Sequence, residues 1–196
     1  MIRVFELFYK LNYINLSAED LFLKFMAEFH VHEHKCSFCQ AEHPDWKKHA
    51  VYNRYLISFE NGCTKSYRVT IVRYRCSSCR HTHAVLPESI IPYQSYSFLF
   101  IIAVMRDCFT SSLTVEGICA KYNISVSTFY SWKKLFLRQK KIWLGLLDDA
   151  CTSSMQFLDS LFTGNLLNSL KKFFLTAGIS FLQGAPRMKK AHCPPA

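Results

Sequence analysis

Long uncharged apolar runs and a secretion signal are both missing from the sequence. The longest uncharged apolar run covers residues 98–105, whereas a helix that spans a membrane needs about 20 apolar residues. Residues 1–16 include Glu6 and Lys10 and no cleavage site of small residues, so they do not resemble a signal peptide. These two absences predict a cytoplasmic protein without a membrane-spanning segment.

Acidic residues are also scarce. The chain of 196 residues has 14 Asp and Glu against 24 Lys and Arg, which gives a formal net charge of +10. A surplus of this size favours a polyanionic partner, such as nucleic acid or an acidic membrane surface. Hydrophobic residues make up 50% of the chain, which excludes a disordered protein and allows either one compact domain or two small ones.

Cysteine, by contrast, is abundant, but an odd total of nine does not suit a disulfide framework in a reducing compartment. Four of the nine form two Cys-x-x-Cys pairs, Cys36 with Cys39 and Cys76 with Cys79. Four thiolates at this spacing are typical of a tetrahedral zinc site, and a complete set of protein ligands leaves no position for a catalytic water. The pattern predicts one structural Zn2+. The alternatives are ordinary buried thiols and a redox-active pair.

The interval between the two pairs predicts a β-hairpin. Residues 51–60 and 65–75 are rich in Val, Ile, Tyr and Thr, and Asn61-Gly62 lies between them. Asn-Gly is the preferred pair of a type I′ hairpin turn, because both central residues need a positive φ. A hairpin returns the chain to its starting point, so it would bring the two cysteine pairs together in a zinc ribbon. Four histidines lie near the pairs, although a four-thiolate site needs none of them as a ligand: His34, His43, His81 and His83.

A helix-turn-helix pattern covers residues 112–136. Thr114 and Ser125 are placed to cap two helices, and Asn123 occupies the turn, where a left-handed backbone is needed. Phe129 and Trp132 then face inward at helical spacing. In this motif the first residues of the second helix meet base edges in the major groove of DNA. The alternative is a helical hairpin with a solvated basic face.

The residues left on the outer surface of the second helix are the candidates for DNA contact: Val126, Ser127, Thr128, Tyr130, Ser131, Lys133 and Lys134. Basic residues nearby and on the hairpin are candidates for phosphate contact: Lys121, Arg138, Arg73 and Arg75. Because side chains alternate along a strand, Arg68 should point to the opposite face from Arg73 and Arg75. We expect ribbon and helices to form one continuous phosphate-binding surface.

These patterns predict an α+β fold in which a small zinc-ribbon β-hairpin domain precedes an all-α helix-turn-helix domain, with flanking helices. The expected boundaries are a helical segment at 1–31, the ribbon at 32–86, an extended linker at 87–95, the helix-turn-helix domain at 96–147, and a C-terminal helical segment with a disordered tail at 148–196. Apolar residues recur at helical spacing over residues 155–175. They predict a face that packs on the first helix or pairs two chains.

The two cysteine pairs, the hairpin and the segment "TVEGICAKYNISVSTFYSWKK" together resemble the amino-terminal zinc-ribbon and helix-turn-helix region of bacterial insertion-sequence transposases. They are also similar to a group of short bacterial proteins classed only as a domain of unknown function. The resemblance covers residues 35–147. It implies a protein of mobile-element origin that binds double-stranded DNA, alone, as a homodimer or with a transposase partner.

The chain departs from such transposases after Leu147. They cut DNA with three carboxylates on an RNase H-like domain that usually exceeds about a hundred residues. Only 49 residues follow Leu147, with Asp148, Asp149 and Asp159 as their only acids, and such a segment is too short for that domain. The resemblance therefore implies DNA binding without catalysis, and we expect no enzymatic activity. The other interpretations are a transposase fragment whose catalytic domain is encoded separately, a host transcription regulator, and a ribbon that binds protein partners.

Overall fold

The computed structural model describes residues 1–4, 16–147, 153–163 and 166–184. Its strands are β1 (Ile2–Val4), β2 (Trp46–Glu60), β3 (Cys63–Cys76) and β4 (Thr82–Pro87). Its α-helices are α1 (Ala18–Glu28), α2 (Phe98–Thr110), α3 (Val115–Tyr122), α4 (Val126–Leu147), α5 (Ser154–Thr163) and α6 (Leu166–Ala177). None of the helices in these ranges combines the length and the apolarity that crossing a lipid bilayer requires.

The strands form one mixed sheet in the order β1-β4-β3-β2. β1 runs parallel to β4, and the other neighbours are antiparallel. β2 and β3, of 15 and 14 residues, pair along their whole length, with one irregularity between Lys48 and Ala50. The turn between them has φ values of 52° at Asn61 and 78° at Gly62, which confirms the predicted hairpin with two left-handed turn residues.

The predicted fold class is wrong. The sheet is central and its strands are long, so the helices do not form a separate all-α domain behind a small ribbon. Near the hairpin turn, Ile57 and Phe59 of β2 pack into the helical core, and the Phe59 ring lies 4.5 Å from that of Tyr122 in α3. On the other face of β2, Leu56 belongs to a core with α1. A hairpin that is buried on both faces near its turn cannot be an independent domain.

Two segments outside the hairpin also differ from expectation. The first described residues form β1 rather than a helix, whereas α1 begins after Ser17, whose Oγ accepts a hydrogen bond from Asp20 N at 3.0 Å. Residues 87–92, which we expected to form an extended linker, are largely buried, with Ile90 and Ile91 at 0% and 1% exposure. Each of these isoleucines enters a different core cluster. The segment therefore joins the two halves of the molecule instead of separating them.

The C-terminal helices complete the helical core. α5 packs on α2, and α6 packs on α4. Phe157 and Phe173 are fully buried, and their rings lie 5.5 and 5.4 Å from Trp143 of α4. The expectation that this apolar face packs on α1 is wrong, because α2 and α4 cover it. The alternative, that it pairs two chains, stays a prediction. The side chain of Phe162, which we assigned to the same face, lies outside the described residues.

Candidate functional site

The two Cys-x-x-Cys pairs meet at one end of the hairpin. The register of the sheet pairs Trp46, at the start of β2, with Cys76, at the end of β3, so the loops that carry the two pairs are adjacent. The four sulfur atoms lie within 4.8 Å of one another. Cys36 Sγ is 3.7 Å from Cys79 Sγ, and Cys39 Sγ is 3.9 Å from Cys76 Sγ. The predicted cluster of four cysteines is confirmed.

The two cysteine loops have the same backbone geometry. In each, the first cysteine accepts a hydrogen bond from the residue four positions on, Gln40 N to Cys36 O at 2.9 Å and Arg80 N to Cys76 O at 3.0 Å. The first cysteine also donates to the carbonyl oxygen five positions on, at 3.0 Å in both loops. Gln40 and Arg80 both have a positive φ, 59° and 65°. The backbone thus holds all four thiols toward one point.

The thiol cluster fits a tetrahedral metal ion. Metal–sulfur bonds of about 2.3 Å place the sulfur atoms of a tetrahedron about 3.8 Å apart, which agrees with the 3.7 and 3.9 Å separations. The arrangement therefore suits a soft divalent ion bound by four thiolates. The four cysteines could hold a metal ion, and their geometry does not distinguish one such ion from another.

The pKa values of the thiols also favour a bound cation. Burial raises the pKa of Cys76, but backbone N–H groups of Cys79 and Ser78 and the neighbouring thiols outweigh it and lower that pKa to about 7. Burial and the thiols of Cys36, Cys39 and Cys76 raise the pKa of Cys79 to about 12. Four thiolates this close repel one another, so they ionise together only when a cation neutralises them.

His83 lies behind the cluster rather than within it. It is 3% exposed, and its Nε2 is 3.4 Å from Cys36 Sγ, while its Nδ1 is 3.2 Å from Ser37 Oγ. Burial, followed by the Met1 amino group, lowers its pKa to about 4. A neutral ring can donate one hydrogen bond to the Cys36 sulfur and so orient it. The sequence signal for this role is the strand face that His83 shares with buried Val85.

The α3–α4 pair has the predicted local geometry. The Oγ1 of Thr114 accepts a hydrogen bond from Gly117 N at 3.1 Å, and Ser125 Oγ accepts one from Thr128 N at 3.2 Å. Asn123 lies in the left-handed region with φ 50°. As predicted, Phe129 and Trp132 are buried, at 0% and 4% exposure. The two helices and their turn are therefore confirmed, although they pack on the sheet and not in a separate domain.

The exposed surface of α4 divides into two stripes. The polar stripe consists of Ser127, Ser131, Lys134 and Arg138, which are all exposed. The apolar stripe consists of Val126, Tyr130 and Leu137, which are 44%, 53% and 37% exposed. Because 3.6 residues make one turn, positions 127, 131, 134 and 138 lie on one side and 126, 130 and 137 on another. The residues predicted for DNA contact therefore lie on two sides of the helix and not on a single face.

Three other predicted contact residues of the helices are engaged within the protein. Lys121 Nζ forms an ion pair with Asp107 Oδ2 at 2.7 Å. Lys133 is half-buried, with its Nζ 5.8 Å from the Phe109 ring centre. Thr128 Oγ1 lies 2.8 Å from Ser125 Oγ, and Ser127 Oγ of the polar stripe lies 2.9 Å from the same atom. Lys121 and Lys133 are therefore less available to a ligand than Lys134 and Arg138.

The hairpin arginines lie apart from α4. Thr64, near the turn, donates to Tyr122 O at 2.7 Å, whereas Arg75 is eleven positions further along β3, about 35 Å away at about 3.3 Å per residue. Because side chains alternate along a strand, Arg73 and Arg75 lie on the opposite face of β3 from Thr64. They share their face with buried Ile71. The structure therefore does not bring these two arginines together with the polar stripe. As predicted, Arg68 lies on the opposite face from Arg73 and Arg75, the face that carries Thr64, and its side chain is exposed.

Comparison with known proteins adds one match. Residues 36–132 match the profile of a domain of unknown function (DUF6431), which covers just under half of the chain. The matched region begins at Cys36, includes both cysteine pairs and ends at Trp132 in α4. It therefore contains the thiol cluster and the α3–α4 turn in one unit. No curated protein and no solved structure matches the chain.

Proposed function

We propose that this chain is a zinc-stabilised protein of the cytoplasm that binds double-stranded DNA through α4, with binding and not catalysis as its role. The main support for this proposal is the polar stripe of α4. It offers two hydroxyl groups and two cations, Ser127, Ser131, Lys134 and Arg138, on one exposed side of a helix. Cations neutralise phosphates, and serine hydroxyls can bind either phosphates or base edges.

The charge around the stripe supports an anionic partner. α4 contains no acidic residue along Val126–Leu147, and the whole chain carries a formal net charge of +10. Within the described ranges, neither Lys134 nor Arg138 takes part in an ion pair. Both charges thus remain available for phosphate groups, whose neutralisation releases counterions from DNA.

Zinc is the ion we propose for the thiol cluster. A soft, four-thiolate, tetrahedral site is typical of structural zinc, and iron is the alternative for the same ligands. Four protein ligands complete the coordination sphere, so the ion would stabilise the cysteine end of the hairpin and would not activate water. Metal analysis of freshly purified, reduced protein tests this, with about one zinc ion per chain expected and iron or no metal contradicting it.

The mobile-element origin rests on the resemblance to the DNA-binding region of insertion-sequence transposases. That resemblance reaches only the DNA-binding region of those enzymes, so the proposal extends to DNA binding and not to catalysis. We propose that the protein acts alone, as a homodimer, or beside a transposase that supplies the chemistry.

Selection of bound DNA from a random pool tests the proposed function directly. We expect a recovered sequence motif, since the hydroxyl groups of α4 can contact base edges. The Ser127→Ala variant should recover a motif with a relaxed preference at one or two base pairs. Recovery of no DNA above background by the zinc-loaded wild-type protein would contradict the proposal.

A further inference from the structure

A cleft lies between α4 and the loop at residues 93–96. Its volume is about 760 Å³, which is within the range of clefts that hold organic ligands. All four residues of the polar stripe line it, and Tyr93, Gln94 and Tyr96 belong to the opposite wall. The surface that we propose for DNA binding is therefore concave, with an aromatic wall facing two cations.

The loop that forms the opposite wall is firmly anchored. Ile57 N donates to Ser95 O at 2.8 Å, and Ser97 N donates to Ile57 O at 2.8 Å, so the loop extends the sheet beside β2. The Arg54 guanidinium donates to Gln94 O. All of these contacts are made within the protein, so the fold itself holds the wall of the cleft in place.

Tyr93 stands at the mouth of the cleft with 71% of its surface exposed. It makes no hydrogen bond or ring contact with any described residue. Its φ of 64° lies in the left-handed region, which is rare and costly for a bulky residue. Strained residues of this kind gather at binding sites. Below it, Tyr96 is held by an edge contact to Trp132 at 4.7 Å.

The charges in the cleft suit phosphates. Lys134 and Arg138 are separated by about one helical turn, or about 6 Å along the axis, and both line the cleft. No acidic residue is found among the described residues that line it. An exposed aromatic ring beside two uncompensated cations matches a nucleotide, whose base stacks on the ring while its phosphate meets the cations.

We infer that this cleft binds an unpaired segment of DNA, with a base stacked on Tyr93 and the adjoining phosphates held by Lys134 and Arg138. The inference rests on the proposed DNA-binding function and narrows its substrate. A base inside a duplex is covered on both faces by its neighbours, so it cannot stack on a protein ring. An unpaired base presents that face freely. The preferred ligand is thus a duplex that contains, or borders on, a short single-stranded stretch.

Two DNA ligands and three variants test the inference by fluorescence anisotropy. The ligands are a fully paired duplex and the same duplex with about four unpaired nucleotides at its centre. Tyr93→Asn removes the ring and tolerates a positive φ, Tyr93→Phe keeps the ring, and Tyr52→Asn removes an exposed tyrosine that does not line the cleft. The zinc-loaded full chain is used throughout, and thermal unfolding verifies that each variant is folded.

We expect the wild-type protein to bind the partly unpaired DNA more tightly than the duplex. Tyr93→Asn should lose about 5- to 150-fold in affinity for the partly unpaired DNA, the range that loss of one stacked base predicts, and should retain its affinity for the duplex. Tyr93→Phe and Tyr52→Asn should behave as wild type.

If Tyr93→Asn lost affinity equally for both ligands, or lost affinity for neither, the inference would be overturned. Duplex binding by wild type would still support the proposed function in that case. If the wild-type protein bound neither ligand, the proposed function would fail and the inference with it.

Discussion

The Sγ atoms of Cys39 and Cys76 lie 3.9 Å apart, although the two residues are 37 positions apart in the chain. The paired arms of β2 and β3 bring them together, since Trp46 and Cys76 are partners at the open end of the hairpin. At the other end, near the turn, the same hairpin packs against α3. The thiol cluster and α3 thus lie at opposite ends of one long, paired element.

The first prediction concerns loss of a thiol ligand. Cys76→Ser should reduce bound zinc from about one ion per chain to a small fraction. It should also lower the free energy of unfolding by several kcal/mol, because metal binding and folding are coupled in structural zinc sites. Metal analysis and thermal unfolding measure the two effects. Cys63→Ser, at an exposed position near the hairpin turn, is the matched control. Unchanged zinc content in Cys76→Ser would contradict the assignment of this ligand.

Trp132 should be a stability residue and not a DNA contact. Its ring is 4% exposed and lies 4.7 Å from Tyr96 and 5.9 Å from Phe100. Trp132→Ala should lower the free energy of unfolding by about 3 to 5 kcal/mol, as truncation of a buried aromatic residue does. Tyr130→Ala, which removes an exposed ring from the same helix, should change it by no more than about 0.5 kcal/mol. Denaturant unfolding of both variants tests the assignment. Equal decreases in the free energy of unfolding would contradict it.

The turn between α3 and α4 gives a backbone prediction. Asn123 has φ 50° and ends α3. A left-handed conformation costs an ordinary residue about 1 to 2 kcal/mol, whereas glycine adopts it freely. We expect Asn123→Ala to lower the free energy of unfolding by about 1 kcal/mol and Asn123→Gly to be nearly neutral. Urea unfolding distinguishes them, and a more stable alanine variant would contradict a left-handed turn.

The C-terminal helices should be required for a stable core. Removal of residues 151–196 would uncover Trp143, which packs against Phe157 and Phe173. We expect the truncated protein to aggregate or to unfold at a much lower temperature, because a large apolar face would meet water. The milder Phe173→Ala variant should lower the free energy of unfolding by about 3 to 5 kcal/mol. Wild-type solubility and melting temperature in the truncated protein would show that these helices do not complete the core.

The local structure of this chain could be predicted from short patterns. Caps at Thr114 and Ser125, the left-handed turn at Asn123, and the Asn61-Gly62 hairpin all depend on residues close in sequence, and each is present. The cysteine pairs were also recognisable, since the hairpin between them returns the chain to its start.

The global arrangement depends on contacts that short patterns do not encode. β1 pairs with β4 across more than 80 positions, Ile2 with Val85, and no local signal marks such a partner. Residues 87–92 contain two prolines and so indicated a linker, yet their apolar side chains are buried on both sides. The cleft between α4 and the loop that carries Tyr93 likewise depends on contacts between distant residues. The two stripes of α4, by contrast, follow from helical spacing.

The salt dependence of DNA binding tests the central claim most directly. For the wild-type protein, the logarithm of the binding constant should fall linearly with the logarithm of salt concentration. Lys134→Ala should weaken binding to every DNA sequence and reduce that slope by about one unit, as loss of one phosphate contact does. Lys171→Ala, which removes an exposed lysine from α6, should leave the slope unchanged. Identical slopes for wild type, Lys134→Ala and Lys171→Ala would contradict DNA binding through α4.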